Sequence, residues 1–513
     1  MNPKHRLVLV GVASVALVLS ACTSGGGGKT SGTAEGDTLK VAISKDILSF
    51  DPQAFDVPNF PIIKNFYDPL VEYDESGKPI PALAKSWTVS PDNKSISLEL
   101  RTDVTFSDGS KFTSKAVAET FEKAADPKRG LQANGPMGVV SGWTLEGDDA
   151  ITLNFKAPVP ELVMMDLLQF TNVINPAGMN DLKTAPAGTG AFTLKQYKPG
   201  QEIQMIARKD YWRPQQPSLH GVDLKIFTDQ NAAVNALASG QVDVLYDLST
   251  KDASRLKEQK FHISEGTGSI IMLFVANPNQ APFDNKLVRQ AVYRAINRDL
   301  MVKAAWNGVS KSVTLPWVTD SPAYDAAADA AFGYDLEAAK ELIGKSGKDI
   351  GSKPITLLTY GALPEVVASA QILKSDLEKI GMKVTIDPRD PAAFEDLYGK
   401  GDYQMAATGV GNVQKFPTRI ATNTMFRTVD NPVLKDAIFP EYLAAIDEVN
   451  TTVGPEAAVQ SGYAKLRDVI TDQAWAIPAT IWATGVTAAS SGVSGLSLDV
   501  DNMPLFAGAT IRR

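Results

Sequence analysis

Ile355-Thr356-Leu357-Leu358, the run from Pro364 to Ile380, and Met382-Lys383-Val384-Thr385-Ile386 decide the fold class of this chain. In the middle run, Val366, Ala370, Leu373, Leu377 and Ile380 recur every three or four residues, the apolar stripe of one helix face. Gly381 ends that helix where a left-handed residue is favoured. The flanking runs read as strands. A strand, a helix and a strand in this order make two parallel strands with a helical cover. Tyr403-Gln404-Met405-Ala406-Ala407 reads as a further buried strand. Upstream, Asp229 caps a helix through Ala232, Ala233, Ala236 and Leu237, Gly240 closes it, and Val242–Leu245 follows as a strand. With the alternating strand Leu39–Ile43 at the front, the chain is predicted to be α/β in at least two lobes.

Between these parts lies a different pattern. Ile96–Leu100 and Val104–Phe106 alternate apolar and polar residues, and Ser107-Asp108-Gly109-Ser110 closes the second run as a turn. A helix is predicted from Thr113 or Ser114, with Val117, Phe121 and Ala124 on one face and Pro127 as its stop. Trp143–Leu145 and Ile151–Phe155 bracket Gly147-Asp148-Asp149 as a hairpin. Residues 61–175 are therefore expected to form a β-rich subdomain.

The amino end sets location. Lys4-His5-Arg6, an apolar run from Leu7 to Leu19, and Leu19-Ser20-Ala21-Cys22 read as a lipoprotein signal peptide (1–21) closing on a lipidation site at Cys22, the chain's single cysteine. Residues 22–37, rich in Gly, Ser and Thr, read as a flexible tether. The expected location is the extracytoplasmic face of a cell membrane, held by lipid alone. Removing Lys4 and Arg6 takes the formal charge from −8 to −10, which provides no electrostatic footprint for nucleic acid.

Catalysis has little to work with. Two of the three histidines, His220 and His262, survive signal removal, and both read as structural, in a turn and a strand. There is no G-x-S-x-G, no H-E-x-x-H and no cysteine pair. Gly188-Thr189-Gly190, Gly266-Thr267-Gly268 and Gly409-Val410-Gly411 lack the third glycine of a dinucleotide fingerprint and read as turns. No cofactor, no metal and no enzyme activity are expected.

Several segments, in their order, resemble the peptide/nickel-type solute-binding proteins of bacterial ABC importers, family 5. They are Ala82–Trp87 through Leu100-Arg101, Val104–Gly109 with Phe112-Thr113, and Pro186–Phe192 running on to Asp210-Tyr211-Trp212. Ala236-Leu237 with Gly240 and Asp243-Val244, and Phe283-Asp284 with Val288–Ala291 and Ile296–Arg298, complete the set; Asn297 stands where Asp is usual. The resemblance implies a two-lobed, periplasmic-binding-protein-like α/β fold of type II, in the large cluster with an extra β-rich subdomain. It places lobe I at 38–60, 176–270 and 477–513, and lobe II at 271–476. Locally, Gly188 and Gly190 are read as permitting unusual backbone angles, and Arg289 as making an internal ion pair.

The function so implied is a lipid-anchored receptor that closes on an oligopeptide-like solute and delivers it to ABC permease subunits, most simply as a monomer. An oligosaccharide, an opine-like acid or a metal chelate stays open as the solute. So do a ligand sensor for a membrane partner and a secreted hydrolase. In peptide-binding relatives a carboxylate follows a Gly-Trp pair; here the stretch is Gly409-Val410-Gly411-Asn412-Val413-Gln414-Lys415. Val413 in place of that carboxylate argues against a free peptide amine, and Asn412 with Lys415 suits a neutral or carboxylate-bearing solute. The remaining candidate contacts are Phe50 and Phe55, Asn277, Trp306 and Trp317, beside Gly409 and Val410.

Overall fold

A computed structural model describes residues 37–513, apart from 55–56, 75–77, 130, 132, 215–216, 265–269, 309, 318, 320, 362, 412–438, 483–485 and 513. The signal and tether, with Cys22, therefore lie outside the described residues, as do Phe55, Asn412, Val413 and Lys415.

Two large sheets organise the chain. The first has seven strands, in the spatial order His262–Ser264, Thr487–Ala489, Val244–Tyr246, Thr38–Ile43, Gly221–Ile226, Glu202–Ala207 and Phe192–Lys198. The second has six: Ser310–Ser312, Ala476–Trp482, Ile270–Ala276, Met405–Gly411, Ile355–Tyr360 and Val384–Arg389. The strand–helix–strand reading holds: Ile355–Tyr360 and Val384–Arg389 pair in parallel, with the helix Pro364–Lys379 between them in sequence and Gly381 at φ +91° after it. Val366, Ala370, Leu373 and Leu377 are buried against the second sheet, as their spacing requires.

The β-rich region is a four-stranded antiparallel sheet, Ala84–Val89, Ser95–Leu100, Ala150–Phe155 and Val140–Leu145. The helix Ser114–Ala125 presents Val117, Phe121 and Ala124 to its core. Val104–Phe106 does not become a strand: only Thr105 bridges Lys111 across the Asp108-Gly109 turn. Among the described residues the buried apolar side chains fall into five clusters, and none mixes the first sheet's surroundings with the second's. Two lobes result.

Three local expectations change. Ala476–Trp482, expected from 477 onward with the first lobe, pairs instead with Ile270–Ala276 in the second sheet. Gly409-Val410-Gly411 is strand, not turn, pairing with Met272, Ile271 and Ile270. Gly188 and Gly190 are needed for close approach rather than for unusual backbone angles. A Cβ on Gly188 would sit 2.1 Å from the Phe66 carbonyl oxygen, and one on Gly190 2.5 Å from the Phe66 carbonyl carbon.

Candidate functional site

Strand register locates the site. In the first sheet Ile43 pairs with Ile226, and Tyr246 with Thr487, which also faces Ser264. In the second, Ile270 pairs with both Gly411 and Trp482, and Trp482 with Ser310. Ser264 to Ile270 and Trp482 to Thr487 are the two passages of the chain between the sheets. Both therefore leave and arrive at the edge where the parallel strands of each sheet have their carboxyl ends. In open α/β sheets this edge is where ligands bind, because the loops there are free of the strand ladder.

At that edge of the first sheet, Asp247 follows the Val244–Tyr246 strand with φ +58°, in the left-handed region. A non-glycine residue is held there only when its surroundings determine it, and such positions gather at functional sites. Its neighbour Tyr246 is buried, and the hydroxyl donates to the Asn502 carbonyl at 3.2 Å, fixing the strand end to the carboxy-terminal segment. Burial, helped by the charges of Asp247 and Asp499, pushes the Tyr246 hydroxyl well above its usual pKa, so it stays a donor. Leu48, in the loop after Thr38–Ile43, is 68% exposed, and Leu363, after Ile355–Tyr360, is 37% exposed. Each offers apolar surface from one lobe.

The residues singled out from sequence divide sharply. Gly409 is exposed on its strand near the carboxyl edge, and Val410 is paired there through its backbone. Phe50 is core: its ring meets Phe66 and Tyr197 edge-on at 5.9 and 5.5 Å, and its carbonyl accepts from the Tyr67 hydroxyl. Trp306 is core too, its Nε1 donating to Ser369 Oγ at 3.1 Å, and Trp317 has no exposed surface. Asn277 stands at the opposite edge, after Ala276, where its amide donates to the Gly401 and Tyr403 carbonyls and its Oδ1 accepts from the Asn279 N–H. It fastens a loop. Arg289 makes no ion pair with a described residue; it donates to the Gln473 and Phe283 carbonyls, and burial lowers its pKa to about 10. Asp247 does not stand out in the sequence, because a backbone angle is not carried by composition or periodicity.

The β-rich sheet is clamped to the first lobe through Asp68, a carboxylate that accepts from Thr189, Tyr211 and Trp212. Arg101 and Arg213 lie over the Trp212 ring at 4.7 and 4.5 Å. Among the described residues no group of three or more His, Cys, Asp or Glu is arranged to hold a metal, and no helix is long and apolar enough to cross a membrane.

Comparison with known proteins agrees with this geometry. Residues 78–430 match the model of the bacterial extracellular solute-binding proteins, family 5 (middle). A Brucella ovis protein named as an ABC transporter peptide-binding protein is 28% identical over 367 residues, covering 69% of this chain and 68% of its own. The glutathione-binding protein GsiB of Escherichia coli is 25% identical over 404 residues, covering 77% and 76%. The periplasmic binding protein AgaA of A. tumefaciens R10, solved with agropinic acid, superposes with TM-score 0.80 at 25% identity, over 93% of this chain and 99% of its own.

Proposed function

The chain belongs to the bacterial extracellular solute-binding proteins of family 5, and from that premise we propose that it captures a small peptide-like solute between two closing lobes and delivers it to an ABC permease. The observation that carries this reading is the pair of short passages, Ser264 to Ile270 and Trp482 to Thr487, that join the carboxyl edges of the two sheets. Two such connections can absorb a rigid-body rotation of one lobe against the other. A solute favours the closed state through contacts that the open state lacks.

In this reading lobe I comprises residues 38–60, 176–264 and 487–513, with 61–175 riding on it, and lobe II comprises 270–482. Asp247 answers a cationic or N–H group of the solute, Leu48 and Leu363 cover its apolar parts, and the strand edge at Gly409 and Val410 pairs with its main chain. Asn412 and Lys415 receive its carboxylate. Relatives at 25% identity or more are named for binding peptide or glutathione, or were solved with agropinic acid. An opine-like acid is the second reading, favoured by Val413 where a carboxylate for a peptide amine is expected. Cys22 carries the lipid that holds the monomeric receptor outside the membrane, and the chain performs no chemistry on its cargo.

A thermal-shift screen of the mature chain against di- to pentapeptides, opines, oligosaccharides and metal chelates tests this. Stabilisation by peptides or opines that also survive incubation unchanged supports the reading. Stabilisation by oligosaccharides or chelates alone overturns the solute class, and turnover of a bound compound overturns the receptor. Membrane retention of the Cys22→Ser chain would remove the lipid anchor.

A further inference from the structure

Away from the cleft, the outermost strand of the seven-stranded sheet borders a cavity of about 520 Å³. Strand periodicity builds it. Phe261 and Ile263 pack on the cluster of Leu237, Leu245 and Leu256, which leaves His262 and Ser264 to the other face, with Lys260 in the turn that leads into the strand. The facing wall is the segment after Ala489, with Ser491 supplying a hydroxyl and Val493 and Leu496 an apolar floor. Lys260 ends the helix Thr250–Glu258, its N–H donating to the Lys257 carbonyl, and its φ of +68° is the left-handed geometry of a helix C-terminus. Among the described residues no carboxylate lies within ion-pair distance of its ammonium, although the chain is acidic overall. The His262 side chain is exposed and makes no hydrogen bond to a described residue.

A cation, an imidazole and two hydroxyls around an apolar floor, in a volume typical of small-molecule pockets, suit an anion with an organic body. We propose that this cavity is a second binding site, for a small organic anion bearing carboxylate or phosphate oxygens. His262 pairs with Ala489 and Ser264 with Thr487, so the anion touches the strand that enters the first passage between lobes and the strand that leaves the second.

Calorimetric titration of the mature chain with citrate tests this, with trimethyl citrate as the uncharged control and inorganic phosphate as the bare anion. Citrate is expected to saturate and trimethyl citrate not to. Lys260→Ala with His262→Ala should weaken citrate at least about tenfold while Lys260→Arg stays within about threefold. Saturation by phosphate as well assigns recognition to the anionic oxygens alone, within the proposal. Absence of citrate binding up to about 10 mM, equal binding of the neutral ester, or an unchanged affinity in the double variant overturns it. A loss of citrate binding in Lys415→Ala, with the double variant unaffected, would assign the citrate to the cleft and equally overturn the proposal. Equal melting temperatures of variant and parent certify the fold.

Discussion

At the scale of the residue, Asp247 and Trp306 set a proposed solute contact against a side chain that packs. Asp247 holds a left-handed backbone angle at the carboxyl edge of the first sheet, and the proposal gives its carboxylate to the solute. Asp247→Asn keeps the shape and removes the charge. A charge-assisted hydrogen bond to the solute is then lost, and affinity should fall by about 10- to 100-fold for a cationic or zwitterionic peptide. Equal affinity by calorimetry would take Asp247 out of the site. Trp306 predicts the reverse. Its indole N–H is satisfied by Ser369 inside a closed core, so Trp306→Phe should cost about 2 kcal/mol in denaturant unfolding and leave affinity within about twofold. Aromatic side chains serve cores and binding clefts alike, which is why Phe50, Trp306 and Trp317 looked like contacts in the sequence. Their burial depends on what folds over them, and no neighbouring residue in sequence announces it.

At the scale of the element, the carboxy-terminal hairpin of Ser497–Leu498 and Pro504–Leu505 encloses an acidic turn whose titration can be followed. Asp499 Oδ1 accepts from the Asp501 and Met503 N–H groups at 2.9 and 2.8 Å, while Oδ2 is buried without a partner. Burial, and then the neighbouring Asp501 charge, push the Asp499 carboxyl up to about 7, against a smaller opposing pull from Lys64. The folded state therefore binds more protons than the unfolded chain, whose carboxyl ionises near about 4. The stability this proton supplies is complete below about pH 4 and is lost as pH rises to about 7. Asp499→Asn retains the Oδ1 acceptor and has nothing to ionise. Its melting temperature should exceed the parent's at pH 8, by the equivalent of about 2 kcal/mol, and the gain should vanish by pH 4. A pH-independent difference would sink this assignment. Elements were the most legible part of the sequence: the helix Pro364–Lys379 and the strands about it follow from apolar spacing and Gly381. Strand ends were less so. Val242–Leu245 was expected where Val244–Tyr246 pairs, because alternation shows that a strand exists but its partner decides where the ladder stops.

At the scale of the whole molecule, two lobes were legible from the order of segments, whereas the boundary near 477 was not. Ala476–Trp482 is apolar enough to belong to either sheet, and only its pairing with Ile270–Ala276 settles the matter. That pairing matters mechanically, because it moves the second passage to Trp482–Thr487, level with the first at Ser264–Ile270. In the proposed reading, two passages that leave from the same edge serve as one hinge line. Apolar clusters that each stay on one side of that line leave packing within the lobes little disturbed by rotation. A solute at the carboxyl edges then gains contacts to both lobes only when they close. At about 100 times Kd it should stabilise the chain by about 2.7 kcal/mol. Small-angle scattering at the same saturation should give a smaller radius of gyration than the free chain. Asp247→Asn should need more solute to reach the same contracted limit, because it weakens capture without blocking rotation. Thermal stabilisation with unchanged scattering would leave a binding protein that does not close, and the hinge drawn from the two passages would have to be abandoned.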